Sequence, residues 1–496
     1  MKLLRARPCW SITLLVLCLM YGVESVASAT TFYVAPDGND SADGRSAANP
    51  WRTLARAASG LVAGDEMLLQ RNGVWHESLT LKADGEPRRP ILIGAYGVGA
   101  RPCIDGGDII KPSTFGASGA AGSFLAPVNQ KVQTVWENGD PPMAAAVSMQ
   151  DVAQHPGSFW CDGKWLYLHP IANADPHLAR DRFEIPGRDF CVEISKSYIA
   201  LRSLAICHAA RVDRGAVTVW ADHNLAGIEL SDCDISCNCG RGVWFDGPAT
   251  NSIHDVLIAG NTFRDNDGSG ALLILADGGQ IRGNTFTGNC RREIEPWQAA
   301  IRLWSGGIVN LVIRDNTISD QRGGHGHDSA MGIHCDETGE HVSIVGNVIR
   351  NVDHAGIEVE NTKGVVVEKN LVMDCNIGIL LNRAGHDETI SRNRILDSRS
   401  QGISMQGWFA HGVDAQPEIT VDGRLFTRNL IQYNSATGSR WGNLKAVGGA
   451  ERVDGALGNV FRGNDFGPER PGFIEWGEKK LDRYDQWPVV GGASGH

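Results

Sequence analysis

A chain of 496 residues exceeds one ordinary globular domain, and a fold that grows along an axis is the simplest way around the size limit on a single core. Its 46 basic and 57 acidic residues leave a formal charge of −11, which argues against nucleic acid and anionic membrane as partners. No stretch beyond the first thirty residues is apolar for the roughly 20 positions that a membrane-spanning helix needs.

Residues 1–29 carry Lys2, Arg5 and Arg7, then the apolar run Leu14 to Met20, then Ala27-Ser28-Ala29. This is the pattern of a secretory signal cut near Ala29, so the mature protein is expected to be secreted or periplasmic. Cleavage moves the formal charge to −13 and leaves ten cysteines. An even count in an oxidising compartment permits disulfides, whose pairing spacing alone does not give.

Residues 30–110 read as an N-terminal cap and first rungs. FYVAPDGNDSADGRSAANPWRTLARAA combines an edge strand, a polar loop and a short amphipathic helix starting near Thr53, and GDEMLLQRNGVWHESLTL and RRPILIGAYG supply strands. Residues 111–185 break that rhythm, and WENGD and GSFWCDGKWLYLHP predict an inserted small β unit.

From 186 to 470 a hexapeptide recurs, apolar-x-x-Asn-x-apolar, with asparagines at 261, 284, 316, 347, 370, 393, 429 and 464. The shortest spacing, 23 residues, repeats three times and sets the length of the basic coil. Each coil also holds a short apolar strand that usually opens with glycine: GVWFDG, GALLIL, GIHCDE, GIEVEN, GILLNR and GISMQG. Short strands repeating in parallel with no helical period predict an all-β, right-handed parallel β-helix, a solenoid with asparagine at one recurring bend. Asparagine suits that bend because it tolerates left-handed backbone and its amide can bond the equivalent residue one rung away. Residues 471–496 form a C-terminal tail.

The opening YVAPDGNDSADG with PWRTL, then GDEMLL and the ladder, resembles the pectate-lyase-like β-helix superfamily over nearly the whole mature chain. That resemblance implies a carbohydrate-active protein with a polysaccharide substrate, since the superfamily holds lyases, glycoside hydrolases, uronate epimerases and non-catalytic adhesins.

Strand alternation locates the working face. Anchored on the glycine-opened strands, the inward residues are all apolar or Cys, and the outward pairs include Arg302 and Trp304, His334 and Asp336, Glu358 and Glu360, Leu380 and Asn382. With rungs about 4.8 Å apart, Asp336 is predicted beside Glu360 and His334 beside Glu358. Crowded carboxylates raise one another's pKa or recruit a cation. The chain takes 16 residues from Asn284 to Ala300 and again from Asn316 to Gly332, against a usual 8 or 9, so two consecutive coils build a wall beside this cluster. The long segment after Gly402 walls the other side. Arg302, Trp304, Arg322, His327, Asn382 and Trp408 are the candidate substrate-binding residues, aromatic faces for sugar rings and cations for carboxylates. His325, His327 and Asp328 form a further His-x-His-Asp candidate for metal.

Glu358-Val-Glu360 followed by Lys363 and Arg383 is similar to the chondroitinase and alginate lyase branch. There strand carboxylates hold calcium, a lysine is the base and an arginine assists. The similarity implies calcium held by Glu358 and Glu360, with Lys363 and Arg383 serving β-elimination. The rung register adds Asp336 as a further candidate calcium ligand and places Asp336, Glu358, Glu360 and His334 in the candidate catalytic set with Lys363 and Arg383. A glycoside hydrolase using Asp336 with Glu358 or Glu360, a uronate epimerase, and a glycan-binding surface protein without catalysis are the alternatives. Oligomeric state is left open.

Overall fold

A strand of three residues makes too few hydrogen bonds to persist alone, so the short apolar runs of this chain are stable only when stacked. In the computed structural model, residues 28–120, 122–139, 142–171, 174–178, 182–323, 330–406, 429–432, 434–447 and 459–488 are described. Within them the strands stack in parallel into three long sheets of 14, 11 and 13 strands, visited in turn by each coil. The coil around the candidate cluster shows the order: Ile308–Arg314 on the first face, Thr317–Ser319 on the second, Met331–Asp336 on the third. The protein is a right-handed parallel β-helix.

The inward residues of the third face are buried in one continuous core, from Val243 and Phe245 to Ile403 and Met405. Phe263 and Phe286 stack at 4.6 Å within it. Burial of such a column, rather than strand propensity, holds the coils together. The glycines that open the third-face strands have a steric cause. A Cβ on Gly332 would lie 2.3 Å from the Gly356 carbonyl oxygen, and one on Gly378 would lie 2.4 Å from that of Gly402.

The bend between first and second faces is an asparagine ladder. Asn316 accepts at Oδ1 from the Asn284 backbone N–H at 2.9 Å, and its Nδ2 donates to Asn347 Oδ1 at 2.9 Å and to the Ile281 carbonyl at 2.9 Å. The same pattern runs from Asn261 through Asn284, Asn316, Asn347 and Asn370 to Asn393. It begins at Cys233, whose N–H donates to Asn261. The next rung is not Asn429 as expected. Asn393 bonds Asn434, which bonds Asn464. Asn429 instead accepts from Glu388 N–H and donates to Asn459, at the bend between third and first faces. A further asparagine stack joins Asn238, Asn266 and Asn289 between second and third faces.

The coils reach beyond the ladder in both directions. Thr31–Val34 pairs in parallel with Glu66–Gln70, which pairs with Ile91–Tyr96, which pairs with Ile199–Arg202. The helix Leu54–Ala58, N-capped by Thr53, covers this end. The insert leaves and rejoins through Gly107–Ile109 and Phe183–Pro186, an antiparallel pair, and holds a five-stranded sheet over its own small core. At the other end Ile474–Trp476 adds to the third face, and Phe461, Trp476 and Trp487 close the core edge-to-face.

The insert is anchored by a buried ionic junction. His208 Nδ1 lies 3.0 Å from Asp105 Oδ1 on the solenoid and 3.2 Å from Glu184 Oε2 on the insert. Trp136 of the insert stacks on the His208 ring at 4.2 Å. Burial disfavours a charged imidazole, but the two carboxylates outweigh it and hold His208 up at about 10, so the junction is an ion triad at neutral pH.

Two outcomes test this architecture. N370A strips partners from several buried groups and should cost about 3 kcal/mol, read from the denaturant midpoint. H208A removes the group that Asp105 and Glu184 share, leaving Glu184 to Arg182 at 3.3 Å and Asp105 to the Gly107 N–H at 2.8 Å, and limited proteolysis should then release insert fragments while the solenoid survives.

Candidate active site

The third face presents its outward side chains in two columns. Trp244, Leu272, Arg302, His334, Glu358, Leu380 and Ser404 are successive partners in one. Trp304, Asp336, Glu360, Asn382 and Gln406 follow one another in the second. The predicted neighbours His334 with Glu358 and Asp336 with Glu360 are therefore register partners. Although they point away from the core, Arg302, His334, Glu358 and Glu360 are almost fully buried, and Asp336 is the most exposed of the carboxylates at 7%.

A buried carboxylate must be compensated. Glu360 is held by Arg383, whose Nε lies 2.5 Å from Oε1, and by His334, whose Nε2 lies 3.2 Å from Oε2. Glu358 accepts from Asn382 Nδ2 at 3.1 Å and pairs with His354 Nδ1 at 3.4 Å. Arg302 donates to the Pro296 carbonyl at 3.1 Å, lies 3.8 Å from Glu295 and stacks over Trp304 at 5.1 Å. Arg241 grips the same Glu295 through two hydrogen bonds, Nε at 2.9 Å and Nη2. These contacts pin the long loop at 288–298 against the face as the predicted wall.

The carboxylates are driven in opposite directions. Burial, then the negative charges of Glu360 and Glu337, push Asp336 up to about 6 against the pull of His334 and Arg302. For Glu358 burial also acts upward and is the largest influence, yet the His354 hydrogen bond, the His334 and His354 charges and the Asn382 hydrogen bond together hold it below its ordinary value. Burial lowers Arg302 from the usual guanidinium value.

Several expected site residues sit elsewhere. Lys363 is ion-paired with Glu340 on the exposed surface, away from the carboxylates. The cause is a bulge: pairing shifts register between Glu360 and Thr362, and Asn361 takes a positive φ of 49°. The same irregularity helps Arg383, whose φ of 59° departs from strand alternation and lets it reach Glu360 beside Asn382. Arg322 is exposed and lies 3.5 Å from Asp353. In the wall loop, Arg292 bonds Asp267 at 3.0 Å and Thr134 of the insert at 3.2 Å. His325, His327, Asp328 and Trp408 lie outside the described residues.

His334, Glu358 and Glu360 bring three donor atoms within 4.8 Å of one another. Calcium takes six to eight oxygens, and this set offers a ring nitrogen and a carboxylate whose two oxygens already face Arg383 and His334. The donors suit calcium poorly, and Asp336 is not among them.

Sequence reasoning missed His354, Glu295, Arg241 and Trp244. Trp244 lies two rungs from Arg302 in the same column, with Arg214 over its ring at 5.5 Å and Trp220 at 5.8 Å. Its signal was legible in GVWFDG, where it occupies the outward phase. His354 gave no periodic signal, because it sits just before its strand.

Residues 191–318 match the family described as right handed beta helix region, and residues 295–411 match that described as NosD, periplasmic copper-binding protein. No curated protein matches the chain. Among solved structures, a complex of XylC with xylose is 17% identical with a TM-score of 0.51, covering 83% of this chain and 70% of the other. A glycoside hydrolase is 11% identical with a TM-score of 0.48, covering 93% and 99%. An alginate lyase from Paenibacillus sp. str. FPU-7 is 11% identical with a TM-score of 0.42, covering 73% and 94%. At such identities the likeness is one of fold, and that fold, with the matched region and the strand topology, is the right-handed parallel β-helix.

Replacing Glu360 by Gln removes one of the charges that raise Asp336 while leaving Arg383 in place. The Asp336 titration, followed by carboxyl carbon resonances, should then move below about 6.

Proposed function

We propose that the protein is an exported enzyme that cleaves a glycosidic bond in a polysaccharide lying along the third face, and that it does so by hydrolysis. The observation that carries this reading is the opposite displacement of two carboxyls in one cluster, Asp336 upward and Glu358 downward. Glycoside hydrolysis needs one carboxylic acid that is still protonated near neutral pH and one that is ionised. Asp336, the more exposed of the two, donates its proton to the departing glycosidic oxygen. Glu358, kept ionised by His354 and Asn382, acts at the anomeric carbon or on the attacking water.

Glu360, Arg383 and His334 are positioning residues in this scheme, since Arg383 and His334 both hold Glu360, the register partner of Asp336. Trp304, 41% exposed, and Trp244, half-buried, offer faces for sugar rings. Their rungs lie about 10 Å apart, roughly two sugar units along a chain parallel to the axis. Elimination at a uronate is the second reading. Arg383 and the two glutamates favour it, but the lysine base implied by the lyase resemblance is occupied by Glu340, so His354 would have to take the proton. Export accords with the charged and then apolar start of the chain. No helix among the described residues is long and apolar enough to cross a membrane.

Incubation with a panel of acidic and neutral polysaccharides decides among the classes. Reducing ends without ultraviolet absorbance support hydrolysis, unsaturated uronyl ends mean elimination, and saturable binding without product means a glycan-binding protein. D336N should lower kcat by about 10²- to 10⁴-fold with the fold retained. Because Asp336 must be protonated, kcat/KM should fall as pH rises through about 6. Because Glu358 must be ionised, it should also fall on the acid side, below the ordinary glutamate range. W304A should raise KM about tenfold with little change in kcat, a loss of about 1.4 kcal/mol in binding.

A further inference from the structure

A second constellation of chemical groups lies far from the third-face carboxylates, where the insert leaves the solenoid. Cys103 and Asp105 stand on one second-face strand, Cys103–Asp105, and Cys207 ends the neighbouring strand Ala205–Cys207. Ile104 and Ile206, between them, point into the core. Both thiols and the carboxylate therefore project outward together. Cys103 and Cys207 are only partly buried, and their Sγ atoms approach to 3.3 Å. Donor atoms of Cys103, Cys207 and Asp105 all fall within 4.8 Å of one another.

The register tells against a disulfide as the purpose of this pair. Cys103 is the partner of Ala205 and Cys207 that of Asp105, so the two cysteines are diagonal neighbours. One rung across and two residues along places their Cα atoms about 8 Å apart, whereas a disulfide asks for under about 7 Å and Cβ atoms about 4 Å apart. The side chains must reach toward each other to bring sulfur to sulfur. That arrangement fits a shared ion, because two thiolates about 2.3 Å from a tetrahedral cation are separated by a few tenths of an ångström more than the present gap.

The carboxylate is prepared in the same sense. The hydrogen bonds described for Asp105 run through Oδ1, from the Gly107 N–H at 2.8 Å and His208 Nδ1 at 3.0 Å. Oδ2 is then the ligating atom, and His208 is the outer partner that orients it, as is usual for metal-bound carboxylates. His76 borders the site, its Nδ1–H donating to the Gly107 carbonyl at 2.9 Å and lying 4.0 Å from Asp105.

We propose that Cys103, Cys207 and Asp105 bind one thiophilic d¹⁰ cation of the zinc class, with water completing the tetrahedron. The site ties two successive coils together at the root of the insert. Binding releases the two thiol protons and forms two metal–sulfur bonds, with no change in oxidation state.

The full chain, reduced and freed of metal, is titrated with Zn²⁺ against a colorimetric chelator, and separately with Co²⁺. The expected result is one equivalent of Zn²⁺ taken up by the wild type and absent from the C103S/C207S double variant. The Co²⁺ form should show the near-ultraviolet charge-transfer band of two thiolates. D105N should weaken Zn²⁺ binding by about tenfold or more. Equal Zn²⁺ uptake by wild type and double variant would overturn the proposal. So would a wild-type Co²⁺ spectrum without the thiolate band, a reading that does not depend on any variant folding. Unreduced chain lighter by two hydrogens, with the Cys103 and Cys207 peptides joined, would replace the metal site by a disulfide. If Cu⁺ alone binds tightly and D105N has no effect, the three-donor site is wrong and the thiols act as a linear pair.

Discussion

The spacing between rungs governs this molecule. Parallel stacking at about 4.8 Å puts every residue directly against its counterpart in the next coil, so a choice made once is repeated as a column. Inside the coil the columns are apolar and merge into one core. At the bend between first and second faces the column is asparagine, and each amide satisfies a backbone N–H on one side and a neighbouring amide on the other. A buried bend exposes backbone groups that cannot reach water, and the ladder answers that requirement rung by rung.

The same spacing gathers the acidic groups of the third face. On a looser scaffold Asp336, Glu358 and Glu360 would be separated by solvent, but here they are forced into adjacent positions and then buried. Such a cluster survives only with hydrogen-bond donors and a cation interleaved among the carboxylates. His334, His354 and Arg383 do this, each against a different oxygen or from a different side. Unequal compensation follows, since Glu358 and Glu360 receive direct partners while Asp336 is left mostly to burial. The opposite displacement of Asp336 and Glu358 is thus a by-product of how the charges are packed.

The wall and the insert are coupled to this face. Glu295 ties the loop at 288–298 to Arg241 and Arg302, and Arg292 in the same loop reaches Asp267 on the solenoid and Thr134 on the insert. The insert in turn is seated by the His208 triad on the early coils. A chain of contacts therefore runs from the root of the insert to the edge of the carboxylate cluster.

Much of this was written in the sequence, because repetition and alternation are local. The glycine-opened strands gave inward and outward sets, and the shared phase of His334 with Glu358 and of Asp336 with Glu360 followed from counting. Counting failed where two answers scanned equally well. Asn429 and Asn434 both precede an apolar strand after a similar run, and only the hydrogen bond from Asn393 shows that Asn434 continues the ladder. It failed again where alternation breaks, at Asn361 and Arg383, which sent Lys363 to Glu340 and kept Arg383 at Glu360. His354 and Glu295 carry no periodic signal at all, since they arrive from loops. The sequence by itself determined the axis, the coil and the face on which charge accumulates, for these depend on residue spacing alone. Only the tertiary structure decided which carboxylate is compensated and which is pushed upward by burial, because that depends on side chains from separate loops meeting in a space from which water is excluded.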